Sequence, residues 1–485
     1  MYCSFILILT VASLGGGSPR GRPGQAPGLL RLAPRAAWAG VAAVQQGAAP
    51  ASSQPLAGVA EAVNKGFDLL GRNDAAGAAA AFRQALELQP EIEMAHRGLG
   101  LALRALGQNE AALRELEVAT RLDPADVDAH YALADTAWTL GSRSRPAPRG
   151  AAAPPQRYLD LAAAEYAKLA ALRPQDASIR QSLAELALGE GRKEEALAAA
   201  EEAVRLAPQD PAAHMTLAQV YFAQAEEEKA AAECEQALKL NPKEGQAYLA
   251  LGQIRYFQHR YAQAAENYQQ AIRVSPGLTE AYAGLARIDV QQGHAAAARE
   301  LLEKVVASNP QDWESQYELA RLLGDAGEVA RATELLEKVT RLKPDFLPAQ
   351  EQLGMGLIRR GDEKQAGALA DTLIAAQPQA AEGHRLRALI LWKQRDREGA
   401  LAEAAMALGP EPDSASMLAL QAICLWELER KKDALSALRQ AAKLEPKVGT
   451  AEVFCRLLWC DARDIGAVSD FLRRTRNIFA PPPEP

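Results

Sequence analysis

The stretch PAAHMTLAQVYFAQAEEEKAAAECEQALKLNPKE, residues 211–244, contains two helical patterns separated by a short polar turn. One face of the first predicted helix carries His214, Leu217, Ala218 and Tyr221. One face of the second carries Ala230, Cys234 and Ala237. Pro242 ends the pattern, because proline cannot continue a helix. The stretch therefore predicts two helices joined by a turn.

The proline that ends this stretch recurs along the chain at a fixed interval. Eleven prolines follow such patterns, at Pro90, Pro124, Pro174, Pro208, Pro242, Pro276, Pro310, Pro344, Pro378, Pro412 and Pro446. Every interval is 34 residues except that from Pro124 to Pro174, which is 50. A fixed period of this length is typical of helical solenoids. We predict an all-α solenoid of about eleven repeats over residues 59–448.

The long interval is explained by an insertion inside one repeat. Residues 141–157 read GSRSRPAPRGAAAPPQR, with four arginines, four prolines and no acid. This composition neither buries apolar surface nor holds a helix. We therefore predict a disordered loop at residues 142–157, between the two helices of the third repeat, and leave its role open.

Small residues recur at the eighth position of the repeats, where the two helices are expected to approach closely. They are Gly100, Ala134, Ala184, Ala218, Gly252, Ala286, Ala320 and Gly354. The complete pattern (aromatic, leucine, small residue and tyrosine, then alanine, aromatic, alanine and proline) resembles the tetratricopeptide repeat family. The resemblance implies a right-handed solenoid whose first helices line a concave groove for extended peptides or partner helices. We expect residues 449–480 to form a helical cap, with a helix over DFLRRTRNIF, and residues 481–485 a disordered tail.

Charge is unevenly distributed along the chain. Residues 1–57 carry four arginines and no acid, a charge of +4. Because the net charge of the whole chain is −7, the remaining residues carry −11. Nucleic-acid affinity depends mainly on neutralising phosphates with lysine and arginine. A repeat region this acidic argues against a nucleic-acid partner.

Residues 1–57 form a low-complexity segment that begins with a ten-residue apolar run at 5–14. The run is shorter than the roughly 20 residues that span a bilayer, so we predict no integral membrane span there. It fits the apolar part of an export signal, as does a second candidate that starts at Arg31. We favour export to the periplasm and association with a membrane-bound complex, with a cytoplasmic tail or an organellar transit peptide as the alternatives.

Motifs of catalysis are absent from the sequence. It has no GxxxxGK[ST] loop, HExxH, GxSxG or glycine-rich dinucleotide fingerprint. Four histidines share the fourth position of their repeats, at His96, His130, His214 and His384. Equivalent residues of stacked helices lie about 10 Å apart, too far to share a metal, so we read them as packing residues. We expect no enzyme activity, no cofactor and no metal.

The cysteines form no CxxC pair, and we read them as buried thiols. Whether Cys424 pairs with Cys455 or Cys460 is left open.

The family resemblance implies that the second, fifth, ninth, twelfth and thirteenth positions face the groove. The twelfth position reads Trp138, Leu188, Phe222, Tyr256, Val290, Gly324, Ile358, Trp392 and Trp426. This apolar stripe serves either a partner or ordinary contact between first helices. Nearby arginines suit a carboxylate, unless they pair with Glu280, Glu314 or Glu351. The predicted groove residues are Trp138, Phe222, Tyr256, Arg287, Arg321, Arg359, Trp392 and Trp426, with Arg385 close by.

These features favour a non-enzymatic scaffold that binds partner peptides or helices, with Phe222, Tyr256 and Trp392 partly exposed to the groove. The alternative is an adaptor that recruits an enzyme of secretion, pilus or polysaccharide assembly. Its docking face would then include Trp426, Trp459 and Arg473.

Overall fold

The computed structural model describes residues 53–143, 154–458 and 462–475. Within these ranges the regular elements are 24 α-helices and one short 3₁₀ helix, Pro446–Gly449, and no strand occurs. The prediction of an all-α solenoid is confirmed.

The first 22 helices follow one another as eleven pairs. They are α1 Ser53–Gly71, α2 Ala75–Leu88, α3 Glu93–Ala105, α4 Asn109–Leu122, α5 Val127–Arg143, α6 Pro154–Leu172, α7 Ala177–Gly189, α8 Lys193–Leu206, α9 Pro211–Ala223, α10 Glu227–Leu240, α11 Gly245–Phe257, α12 Tyr261–Val274, α13 Thr279–Gln291, α14 Ala295–Ser308, α15 Trp313–Asp325, α16 Val329–Leu342, α17 Leu347–Arg359, α18 Glu363–Ala376, α19 Ala381–Lys393, α20 Arg397–Leu408, α21 Ala415–Glu427 and α22 Lys431–Leu444. Two more follow, α23 Ala451–Leu458 and α24 Ala462–Arg474. The last begins earlier than the DFLRRTRNIF pattern indicated.

The described helices group into two compact units. The first ends at Val274 and contains α1–α12, and the second begins at Ser275 and contains α13–α24. Each candidate contact below lies within one unit.

Aspartates at the start of several helices help to set where the repeats begin. Asp210 accepts a hydrogen bond from the Ala212 amide at 3.1 Å, and Asp312 accepts one from the Ser315 amide at 3.0 Å. These side chains supply acceptors for first-turn amides, which have none within the helix.

One residue in the turn between the two helices of a repeat has a left-handed backbone. At the fifteenth position of ten repeats φ lies between 57° and 83°. Five of these residues are glycine, which adopts this conformation without strain, and five carry a side chain. The five with side chains are Asn73, Ala225, His259, Arg395 and Glu429.

The core is a series of thin layers between helices that lie close together. An added Cβ at Gly100 would lie 2.6 Å from Leu116 Cγ, and one at Gly252 would lie 2.8 Å from the Tyr268 ring. In both repeats the small eighth residue therefore lets the first helix approach the second, as predicted. At Gly354 the nearest atoms belong to Leu386 of the next repeat, so that glycine makes room for a neighbouring repeat instead.

The predicted loop at residues 142–157 was too long at both ends. Helix α5 continues to Arg143, and α6 begins at Pro154. An added Cβ at Gly141 would lie 2.5 Å from Leu159 Cδ2, so the two helices are in contact here and both extend beyond the standard repeat length. Pro154 opens α6, where the missing proline N–H would have no intrahelical partner. Residues 144–153 lie outside the described ranges.

Candidate functional site

Three of the five aromatic rings of the predicted stripe are buried, and the expectation of partial exposure was wrong for Phe222 and Trp392. Trp138 is 7% exposed, and Phe222 and Trp392 are each 3% exposed. Tyr256 and Trp426 are half-buried.

The rings are buried because neighbouring first helices contact each other through them. Trp138 of α5 packs on Gly189 of α7, where an added Cβ would lie 2.5 Å from Trp138 Cη2. Phe222 of α9 packs on Phe257 of α11, with ring centroids 5.4 Å apart. In both cases the twelfth residue of one repeat packs on the thirteenth residue of the next. Of the two readings of the stripe, contact between first helices accounts for these rings.

The two half-buried rings are also in contact with other groups. Tyr256 lies edge-to-face against Tyr261, with centroids 5.4 Å apart. Trp426 packs on Phe471 of α24, with centroids 5.7 Å apart, so the end of the chain covers part of it. Trp459, named with it in the adaptor reading, lies outside the described ranges.

Gly324 is the member of the stripe that has no side chain. An added Cβ there would meet no atom within 4 Å. A pocket of about 180 Å³ opens between α15, α16 and α17 at this point. Ala332, Thr333 and Leu336 of α16 are among the residues that line it, and all three are buried. Where Trp138 and Phe222 close their repeats, Gly324 leaves a space.

Two of the predicted arginines line this pocket, and both are exposed. Arg359, the thirteenth residue of its repeat, donates from Nη1 to the Gly324 carbonyl oxygen at 3.2 Å. Arg321 donates from Nη1 to Glu318 Oε2 at 2.9 Å, and its side chain remains 42% exposed. Asp325 is the acidic residue of the lining. The pocket therefore combines the buried side chains of Ala332, Thr333 and Leu336 with two guanidinium groups, one carboxylate and the amide of Gln352.

Arg385 is committed to the fold. Its Nε and Nη2 atoms donate to the two carboxylate oxygens of Glu351, each at 2.7 Å. Burial opposes the charge of Arg385, but the hydrogen bonds to Glu351 and the negative charges of Glu351, Glu411 and Glu382 together outweigh it and raise the arginine pKa. Burial also raises the pKa of Glu351, against the opposing effect of Arg385. The alternative of intramolecular pairing is correct for this arginine.

Arg287 does not line the pocket at Gly324. Its Nη2 lies 3.9 Å from Glu314 Oε2, a loose ion pair at the surface. Burial raises the pKa of Glu314, and Arg287 opposes that shift. The pairing with Glu314 considered from the sequence is thus present, although weak.

The four histidines at the fourth position do more than pack, which the sequence reading missed. His214 pairs through Nδ1 with Glu233 at 2.6 Å, and its Nε2 lies 3.1 Å from the Pro208 carbonyl oxygen. His96, His130 and His384 each have the equivalent two partners, a glutamate at Nδ1 and the carbonyl oxygen of the preceding repeat proline at Nε2. Gln316 donates to the Pro310 carbonyl in the same way, at 2.9 Å. A polar residue six positions after the repeat proline is the signal for this contact, which ties each such repeat to the end of the preceding one.

Histidine, cysteine and acidic residues occur in the described part of the chain. No group of three histidine, cysteine or acidic residues there could hold a metal ion. Cys234 and Cys424 are buried, and burial raises the pKa of both thiols to about 12. Cys424 and Cys455 are not joined in a disulfide, and Cys460 lies outside the described ranges. None of the helices described is both long enough and apolar enough to cross a membrane.

Comparison with known proteins gives the family directly. Tetratricopeptide repeat models match residues 63–115, 156–211, 187–254 and 258–323, and a TPR repeat model matches 100–141. No curated protein matches the chain.

Several solved structures are similar to parts of the chain. PilF of Pseudomonas aeruginosa is 21% identical, with 44% of this chain and 98% of that protein covered and a TM-score of 0.42. PilW, a type IV pilus biogenesis factor, is 20% identical, with 43% and 97% covered and a TM-score of 0.39. YrrB, a TPR protein with an unusual peptide-binding site, is 21% identical, with 38% and 95% covered and a TM-score of 0.34. With helix pairs at a 34-residue period and repeat models that together match about half of its length, this chain belongs to the tetratricopeptide repeat family.

Proposed function

We propose that the chain holds a partner protein by an extended acidic segment, bound across the first helices of the second unit at Gly324. Tetratricopeptide repeats support a protein-interaction scaffold as the general role of this chain. The observation that carries the finer proposal is the open pocket between α15 and α17, lined by Arg321 and Arg359. The concave groove that the family implies would lie along these helices.

The state of Arg321 favours an acidic ligand. A guanidinium group can donate two parallel hydrogen bonds to one carboxylate, which gives both affinity and orientation. Arg321 is held only by the exposed carboxylate of Glu318, three residues earlier on the same helix. Exposed pairs of this kind contribute little, so a partner carboxylate can compete for Arg321 at small cost.

An array of acidic and neutral peptides, probed with the full-length chain, tests this proposal. We expect acidic peptides to be retained, and the double variant Arg321→Ala/Arg359→Ala to lose at least tenfold in affinity. Arg341→Ala is the matched control, because Arg341 is an exposed arginine of α16 that does not line the pocket. Equal binding by the double variant and the control, or no preference for acidic peptides, would overturn the proposal.

The scaffold role implies that the chain itself catalyses no reaction, and we expect no activity to copurify with it. We also propose that residues 1–57, most of which lie outside the described ranges, direct export of the chain. Amino-terminal sequencing should then find a mature chain that begins between residues 15 and 58. An intact Met1 on protein from the cytoplasm would contradict export and leave the binding proposal untouched.

A further inference from the structure

We infer that the pocket at Gly324 is a socket for an aromatic side chain of the partner, adjacent to the acidic residue that Arg321 and Arg359 hold. This inference rests on the proposed function and adds the class of side chain that enters the pocket. The occupant is a phenyl or indole ring supplied by another protein.

Other repeats of the same chain show what fits at this position. We call the contact between the first helices of two neighbouring repeats a joint. In two joints of the first unit the twelfth residue supplies a buried ring, Trp138 on Gly189 and Phe222 on Phe257. Because the repeats share one backbone pattern, the space between α15 and α17 corresponds to the place that these rings occupy. A ring from a partner would complete the stripe that Gly324 interrupts.

The size of the pocket and its apolar residues agree with a ring. An apolar cavity of about 150 Å³ is large enough to bind benzene, and this pocket measures about 180 Å³. Ala332 and Leu336 give it apolar walls. The Thr333 hydroxyl already donates to the Val329 carbonyl at 2.7 Å, which leaves Gln352 as the uncharged polar side chain of the lining with a hydrogen to donate.

The charges at the pocket also favour a ring over an aliphatic side chain. Cations lie close to other aromatic residues at the twelfth position: Lys393 Nζ is 5.8 Å from the Trp392 ring centroid, and Lys431 Nζ is 5.7 Å from that of Trp426. A cation near an aromatic face is attracted by the ring quadrupole. Arg321 and Arg359 would provide the same attraction for a ring at Gly324, while also reaching a neighbouring carboxylate.

Filling the pocket from within tests the inference. Gly324→Phe places a ring where Phe222 lies in its own repeat, and it should exclude the partner's ring. Gly367→Phe is the matched control, because an added Cβ at this second-unit glycine also meets no atom within 4 Å. The probe is the blocked dipeptide acetyl-Asp-Phe-amide, observed by saturation-transfer NMR with the full-length chain. We expect Gly324→Phe to weaken binding at least tenfold and Gly367→Phe to leave it unchanged.

A second measurement needs no variant and therefore does not depend on how Gly324→Phe folds. On the wild-type chain, acetyl-Asp-Phe-amide should bind at least tenfold more tightly than acetyl-Asp-Ala-amide, with saturation transferred most strongly to the ring protons. Equal binding of the two dipeptides, or full binding by a folded Gly324→Phe variant, would overturn the socket. If binding survives Gly324→Phe but is lost in Arg321→Ala/Arg359→Ala, the acidic site stands and the socket does not. If the arginine variant binds normally, the proposed function itself fails.

Discussion

Two joints between neighbouring first helices use the same two positions with their sizes exchanged. Between α5 and α7 the twelfth residue is Trp138 and the thirteenth residue of the next repeat is Gly189, and the ring fills the space above the glycine. Between α15 and α17 the twelfth residue is Gly324 and the thirteenth is Arg359. The large residue there extends towards solvent, and a pocket remains.

The difference teaches that size at one position does not decide whether a joint is closed. Tryptophan, with a rigid apolar ring, stays in the joint when a glycine faces it. Arginine keeps its charged head in water and cannot fill an apolar space with it. Between α15 and α17, a small residue that is faced by a long charged residue leaves the space open.

The joint between α5 and α7 is closed by a ring, and that between α15 and α17 is open. The largest expected effect on stability comes from removing the ring of the closed joint. Trp138→Ala should remove about 4 kcal/mol from the free energy of unfolding, because the ring is buried and the cavity left behind cannot collapse fully. Urea denaturation of the full-length chain measures the loss, and hydrogen exchange should localise it to α5–α7. A loss below about 1 kcal/mol would mean that the ring is not part of the packed joint.

A larger residue in the closed joint should lower the free energy of unfolding by a smaller amount. Gly189→Val should destabilise the protein by about 2 kcal/mol, since even a Cβ at this position would lie 2.5 Å from the Trp138 ring. The matched variant Gly324→Val adds the same side chain where no atom lies within 4 Å, and it should be nearly neutral. Similar melting temperatures for the two variants would remove the distinction between the closed and open joints.

The two joints also differ in the charge of the residue at the ninth position. The closed joint has acids there, Asp135 and Glu185, whereas α15 has Arg321. Burial, with a smaller contribution from Asp135, raises the pKa of Glu185 from 4.5 to about 7. The folded chain therefore holds this proton up to a higher pH than the unfolded chain does, and stability should fall as pH rises from 4.5 to 7.

Glu185→Gln should abolish this dependence on pH. We expect equal stability of variant and wild type at pH 4, and a variant more stable by about 1 kcal/mol at pH 8, a discounted value because Glu185 is only half-buried. Chemical denaturation at both pH values provides the measurement. Glu194→Gln, at an exposed site on α8, is the control and should track the wild type. A Glu185→Gln variant that also tracks the wild type would show that Glu185 is well solvated.

The smallest effect is expected from closing the open joint. Gly324→Phe should raise the free energy of unfolding by about 0.5 to 1 kcal/mol, because the ring enters existing space and replaces a glycine in the last turn of α15. Differential scanning calorimetry should show a higher melting temperature than that of the wild type. A lower one would mean that the walls of the pocket do not accommodate a ring.

The periodic part of the fold was readable from the sequence because its causes are local. The repeat prolines and the small residues at the eighth position act within one or two helices, and they predicted the helix pairs. The ends of the insertion were missed because they depend on contact between Gly141 and Leu159, which the predicted loop separated. The start of α24 at Ala462 was missed as well, because the sequence reading began that helix at the DFLRRTRNIF pattern.

The candidate site was only partly readable for the same reason. The arginines and the stripe were identified, but burial of Trp138 and Phe222 depends on residues of the next repeat. Gly324 was interpreted as one more member of the apolar stripe, although the pocket forms there because Arg359, not an apolar side chain, lies opposite it. Reading the twelfth position together with the thirteenth of the following repeat would have found the pocket.

The left-handed turns at the fifteenth position have a consequence for how robust the chain could be made. Four of these residues, Ala225, His259, Arg395 and Glu429, hold a conformation that costs a residue with a side chain about 1 kcal/mol more than it costs glycine. Natural proteins need only exceed a threshold of stability, and such unused increments persist in them. Because the turns lie between the two helices of a repeat, glycine at these four places would relieve the strain and stabilise selected repeats one at a time. The thermal stability of the repeats could thus be raised without altering the joints through which the chain would recognise a partner.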